Sequence, residues 1–190
     1  MKPLDGIRVL DLSRVLAGPY ATALMADLGA EIIKIEPPQG DDYRHIGPFL
    51  DGESALFTLN NRGKQSLALD LKDPAHLHLA QAIAARVDVV VENFRPGVAA
   101  RLGLGAETLR AANPGLIYCS ISGFGQQGPF RDLPAYDLVV QAMSGLMAGT
   151  GEEGGAPVKT GESMADLIAG LFASWSIMAA LVQRGRTGQG

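Results

Sequence analysis

The sequence predicts an α/β protein built on a doubly wound, mainly parallel sheet. Three observations point there. A short β-branched run at residues 7–11 (IRVLD) is followed by a helical stretch and a second apolar run at 30–36 (AEIIKIE), the span that a parallel crossover needs. The unit then recurs, with a strand at 66–71, a helix opened by Asp73-Pro74 and a strand at 87–92 (VDVVVE). Of 190 residues 47% are hydrophobic, which suits one sizeable core.

Taken in order, the first strand leads into a loop at 13–18, and Pro19 suits the first position of a helix over 19–28 that Gly29 stops. Residues 37–63 are rich in Gly, Pro and Asp and read as a long irregular connection with a helical turn near 54–59, the kind of loop that carries function. After the second unit, Asn93–Gly97 turns the chain at the carboxyl end of a strand, where open α/β sheets bind ligands. Short helices over 96–102 and 106–112 lead to a strand at 116–122. A loop at 123–134, a helix at 135–147 and a glycine-rich turn at 149–155 follow.

The last helix is apolar nearly all round, with no charged residue from Leu167 to Val182, and such a helix is expected to be buried. Its 16 uncharged residues fall short of the ~20 that cross a bilayer, so a core helix is expected rather than a membrane span. Ser163 and Asp166 have the spacing of a capping box. Asp166 then sits in the first turn, where the helix dipole favours a carboxylate. Residues 183–190 read as a loop with no element after them, which suggests part of a longer protein, since a buried helix normally leads into something that covers it.

A net charge of −4 argues against a nucleic-acid binder. Cys119 is the single cysteine, and the first residues hold no apolar run of signal-peptide length, so a cytoplasmic, soluble protein is expected. His45, His76 and His78 have no ligand spacing, and no metal is expected. Residues 123–128 (GFGQQG) match the dinucleotide fingerprint letter for letter. A proline-bounded stretch at 129–134 follows where the fingerprint requires a helix, so no NAD is expected either. With no G-x-S-x-G, P-loop or zinc helix, Asp166 is the best nucleophile candidate. Arg14, Lys72, Arg95 and Arg101 are candidate anion binders near strand ends, and Phe94 and Tyr136 are candidates for stacking a base.

The ordered blocks LDGIRVLDLSRVLAGPYATALMADLGAEIIKIE, NNRGKQSLALDLKDP, VDVVVENFRPGVAARLGL, NPGLIYCSISGFGQQGP, AYDLVVQAMSGLM and TGESMADLIAG resemble the N-terminal half of the family III coenzyme A transferases. The resemblance covers essentially the whole chain. It implies that residues 1–190 are the N-terminal part of a Rossmann-like, CoA-binding large domain, with the small domain and C-terminal remainder absent. It further implies an intertwined homodimer and acyl-CoA and a small carboxylic acid as substrates. Asp166 falls at the position of the catalytic aspartate, which attacks the thioester to give a mixed anhydride. Val15, Ala17, Leu69, Lys72, Asn93, Phe94, Arg101 and Tyr136 fall at positions along the CoA channel, with Arg95 beside them. Leu16, Pro37 and Pro134 depart from the formyl-CoA transferase pattern and argue against formyl or oxalate specificity. Tyr136 stands where the racemases of the family carry a histidine, which argues against a two-base racemase.

Overall fold

The computed structural model describes residues 1–190. Five parallel strands form the main sheet: β1 (Arg8–Asp11), β2 (Glu31–Glu36), β5 (Lys64–Ala68), β6 (Val89–Glu92) and β7 (Ile117–Ser120), in the order β5-β2-β1-β6-β7. The chain winds outward from β1 through β2 to β5, then returns to the other side of β1 for β6 and β7. The direction of winding reverses between β1 and β6, which fixes the topological switch point there.

The two-residue period of these strands sorts their side chains into two cores. Leu10, Ile35, Val90 and Leu116 pack on one face with Ala80 and Ala84 of helix α3 (Pro74–Ala84) and Leu109 of α5 (Ala106–Ala112). Val9, Ile32, Val89 and Val91 pack on the other with Met25 of α1 (Ala17–Asp27) and Ile177 of the last helix, α7 (Met164–Thr187). Helices on both faces leave the central strands β2, β1 and β6 largely buried, while the edge strands β5 and β7 are partly exposed.

The long connection after β2 is more ordered than its composition suggests. It contains a 3₁₀ turn at Asp42–His45, a small antiparallel hairpin of β3 (Phe49–Leu50) and β4 (Glu53–Ser54), and α2 (Ala55–Asn61). Ser54 opens α2 by accepting the Phe57 amide at 3.2 Å. The remaining helices are α4 (Val98–Arg101) and α6 (Asp137–Met143).

Three expectations for the end of the chain are corrected. The last helix has 24 residues and continues past the uncharged run through Gln183 and Arg184 to Thr187, so most of the stretch expected as a loop is helical. By length and composition alone it meets the measure of a membrane-crossing helix. It is also not buried all round: Gly170, Ala173, Ser174 and Ile177 face α1 and the sheet, while Leu171, Phe172 and Trp175 are exposed. Finally, Ser163 makes no side-chain cap bond. The carboxylate of Asp137 takes that role from another helix, because it reaches the free amides at the start of α7 while the Asp166 side chain faces the cleft.

Candidate active site

The loops that leave β1 and β6 diverge at the switch point, and a cleft of about 570 Å³ opens where they part. Asn93, just after β6, holds the two loops together: its side-chain carbonyl accepts the Arg14 amide at 2.9 Å and its amide nitrogen donates to the Arg14 carbonyl at 2.8 Å. On the β6 side, the buried Glu92 carboxylate accepts the Phe94 amide at 2.8 Å and the Ser120 hydroxyl at 2.5 Å, which fixes the turn that carries Phe94 and Arg95. Val15, Ala17, Asn93, Phe94, Arg95, Tyr136 and Asp166 all line this cleft, so residues from four separate stretches of sequence meet there.

Leu69, Lys72 and Arg101 do not line it. The Leu69 side chain is buried in the core cluster, which leaves only its backbone for a ligand. Lys72 follows β5 and Arg101 ends α4, and both are exposed. Sequence reasoning missed Asp42 and Arg131, which complete the cleft wall. They sit inside the two stretches expected as irregular loops, where no periodicity marks a face.

Asp166 stands in the first turn of α7 and faces the cleft. Burial pushes its carboxyl up to about 6, and the negative charge of Asp137 adds to the rise. Asp137 is held in turn. One of its oxygens accepts the Ala165 amide at 2.8 Å and the other accepts the side-chain amide of Gln141 at 2.6 Å. Gln141 is fully buried and accepts the Thr160 amide at 3.0 Å with its own carbonyl. Thr160, Gln141 and Asp137 thus form a chain of hydrogen bonds that ends on the helix carrying Asp166. A half-desolvated carboxylate on a helix start held in this way has the properties a nucleophile needs: ionised at neutral pH, weakly solvated and fixed in direction.

Tyr43 belongs to the same surroundings. Its burial and the nearby carboxylates of Asp166, Asp41 and Asp137 raise its hydroxyl above the ordinary tyrosine range, which keeps it a neutral hydrogen-bond donor. On the opposite side of the charge balance, Arg14 and Arg95 line the cleft without an acidic partner. The same cleft therefore offers an anionic ligand two guanidiniums without an acidic partner.

The glycine run at 123–128 has a packing explanation. A Cβ on Gly123 would lie 2.1 Å from the Cβ of Ala135, so the residue is small because the chain folds back onto itself there. No helix begins until Asp137.

Fold and cleft together define an open parallel α/β domain that presents a carboxylate nucleophile candidate at its switch point. A family model for CoA-transferase family III matches residues 4–190, and the chain belongs to that family. Among curated relatives, it is 52% identical over 192 residues to the succinyl-CoA:glutarate CoA-transferase of Mus musculus, an alignment covering 100% of this chain and 44% of that protein. It is 50% identical over 190 residues to the acetyl-CoA:oxalate CoA-transferase of Acetobacter aceti, covering 99% of this chain and 49% of that one. Among solved structures, a CAIB/BAIF family protein from Brucella suis superimposes with a TM-score of 0.95 at 44% identity, covering 100% of this chain and 51% of that chain. The chain spans about half the length of the curated relatives it matches.

Proposed function

We propose that the protein transfers coenzyme A from an acyl-CoA to a small carboxylic acid, with Asp166 as the nucleophile. The observation that carries this reading is the Asp166 carboxylate itself: it is partly desolvated, turned into the switch-point cleft and held by Asp137 through the helix backbone. The family membership and the names of the relatives support the same chemistry.

In this mechanism the Asp166 carboxylate attacks the thioester carbonyl, the C–S bond breaks, and an aspartyl–acyl anhydride and the CoA thiolate form. The thiolate then attacks the aspartyl carbonyl of the anhydride, releasing the donor's acid and leaving an aspartyl-CoA thioester. The acceptor carboxylate attacks that thioester to form a second anhydride, and the returning thiolate takes the acceptor acyl group and frees Asp166. The first attack needs an ionised Asp166 carboxylate with little hydration, and a carboxyl that burial raises only to about 6 is still ionised at neutral pH. Val15, Ala17, Asn93 and Phe94 line the path of the pantetheine chain in this reading, with Tyr136 near the reacting end. Arg95 lines the same cleft, and Lys72 and Arg101, which lie outside it, are the proposed partners of the nucleotide phosphates on the resemblance alone.

The named relatives pair succinyl-CoA with glutarate and acetyl-CoA with oxalate. A short dicarboxylate is therefore the proposed acceptor class, its far carboxylate suited to a free cleft arginine. The sequence departures at Leu16, Pro37 and Pro134 argue against oxalate, yet a relative at 50% identity carries oxalate in its name, so both glutarate and oxalate belong in the assay. With succinyl-CoA as donor, Asp166→Asn is expected to lower transfer by at least ~10³-fold, the scale of losing a catalytic nucleophile, while CoA affinity stays within about twofold. Retained transfer in that variant would refute the assignment.

A further inference from the structure

The wall of the cleft formed by Val15, Leu16 and Ala17 is held in place by a buried cluster that lies behind it. Val15 has a φ of 70°, in the left-handed region that a β-branched side chain disfavours. A loop free to relax would leave that conformation. The restraint is visible in the hydrogen bonds: the Val15 amide points at the Asp41 carboxylate, 3.1 Å from one oxygen and 3.3 Å from the other.

Asp41 is fully buried and every bond around it is accounted for. It accepts the Tyr43 amide at 3.0 Å and forms an ion pair with the buried Lys34 ammonium at 2.9 Å. Lys34 donates a second bond to the Ser13 carbonyl at 2.8 Å, so the same pair grips the loop at two points. The Asp41 amide donates to Glu36 at 2.9 Å, and Glu36 is fixed by Arg44 and Ser66. A charge pair this deep adds little stability over an apolar pair of the same size, so its clearest effect is on where the loop sits.

We propose that Asp41 is a positioning residue: held by Lys34, it keeps Val15 in the left-handed conformation and thereby shapes the wall of the cleft against which acyl-CoA lies. Its other bond, to the Tyr43 amide, holds the turn that carries the cleft residue Asp42. The identity of the ligand rests on the function proposed above; the grip on Val15 does not.

Amide hydrogen exchange and CoA calorimetry on the full chain test the proposal separately. The Val15 amide, although its residue is at the surface, is expected to exchange as slowly as the Leu12 amide in the adjoining strand end. Exchange as fast as that of the exposed stretch 125–128 would overturn the proposal without any variant being made. Two variants follow, Asp41→Asn and the charge-neutral Lys34→Met/Asp41→Ala, the second avoiding an orphaned buried charge. In whichever folds, Val15 exchange is expected to quicken about 100-fold and the Kd for CoA to rise about tenfold. Adding Val15→Gly to that variant is expected to cause little further loss, because both changes act through one backbone conformation. An unchanged Kd in a folded variant, or losses that multiply, would overturn it. Failure of the native chain to bind CoA would count against the ligand assignment, while the exchange data would still decide the grip.

Discussion

Asp166 has its acidity set by two neighbours of different kinds, the desolvating walls of the cleft and the charge of Asp137. A nucleophilic carboxylate works only when ionised, so kcat/KM should fall on the acid side with a midpoint near pH 6. Asp137→Asn keeps an oxygen for the Ala165 amide but removes the like charge. Its acid limb is expected at lower pH than that of the native protein, measured from the pH profile; a limb that stays or moves up would contradict the role given to Asp137. Asp166 stood out in the sequence as a nucleophile candidate because an acid just ahead of an uncharged helix is a local pattern. Its cap was not legible: Asp137 lies 29 residues from Asp166, and its carboxylate reaches the start of α7 only in three dimensions. The buried Lys34 and Asp41 were equally hidden, since a lysine within a strand and an aspartate within a polar loop carry no sign of meeting.

Helices α1 and α7 define the element scale. They cross closely at Gly170, where a Cβ would lie 2.5 Å from the Ala17 carbonyl oxygen and 3.0 Å from the Tyr20 ring. Ala17 opens α1 and lines the cleft, so this crossing ties the helix of the nucleophile to the wall of the ligand site. Gly170→Ala is expected to cost roughly 1–3 kcal/mol by overpacking, read as a lower denaturation midpoint, and to weaken CoA binding as α1 is pushed away. A neutral outcome would mean the crossing has slack. The apolar pattern of α7 was read correctly as a helix and incorrectly as one buried on all sides. Periodicity reports which faces are apolar and not what covers them; here α1 and β7 cover one side, while Phe172 and Trp175 meet each other edge to face on the exposed one. Strand boundaries moved for a related reason. The strand expected at 66–71 is β5 at Lys64–Ala68, because pairing with β2 from Ile32 to Glu36 sets its register and no local propensity does.

For the molecule as a whole, the recurring strand–helix units made the doubly wound fold legible, and the reversal of winding between β1 and β6 put the cleft where such folds place ligands. The electrostatics of that arrangement predict how stability responds to pH. Lys64, Lys34 and two hydroxyls hold the buried Asp11 carboxyl well below its usual range against the effect of burial. Arg44, Ser66 and the Asp41 amide likewise hold Glu36 at about 2. Both groups release protons more readily in the folded chain, so their contribution is present above about pH 4–5 and is lost as pH falls toward their folded values. Asp166 acts in the opposite sense: with its folded value raised to about 6, the native state binds a proton between about pH 4 and 6 that the unfolded chain has released, and stability grows as pH falls through that window. The melting temperature is therefore expected to peak near pH 5, and Asp166→Asn to raise it at pH 7–8 but not at pH 4.5. A variant no more stable than the native chain at neutral pH would show that the Asp166 carboxylate carries no desolvation cost.

The central claim is that this carboxylate becomes covalently acylated. The most direct measurement is to incubate the full chain with succinyl-CoA and hydroxylamine, digest it, and map hydroxamate by peptide mass spectrometry. A hydroxamate is expected at Asp166, dependent on acyl-CoA and missing in Asp166→Asn. A protein that transfers CoA to glutarate or oxalate while Asp166 remains unlabelled, or a label at another carboxylate, would contradict it.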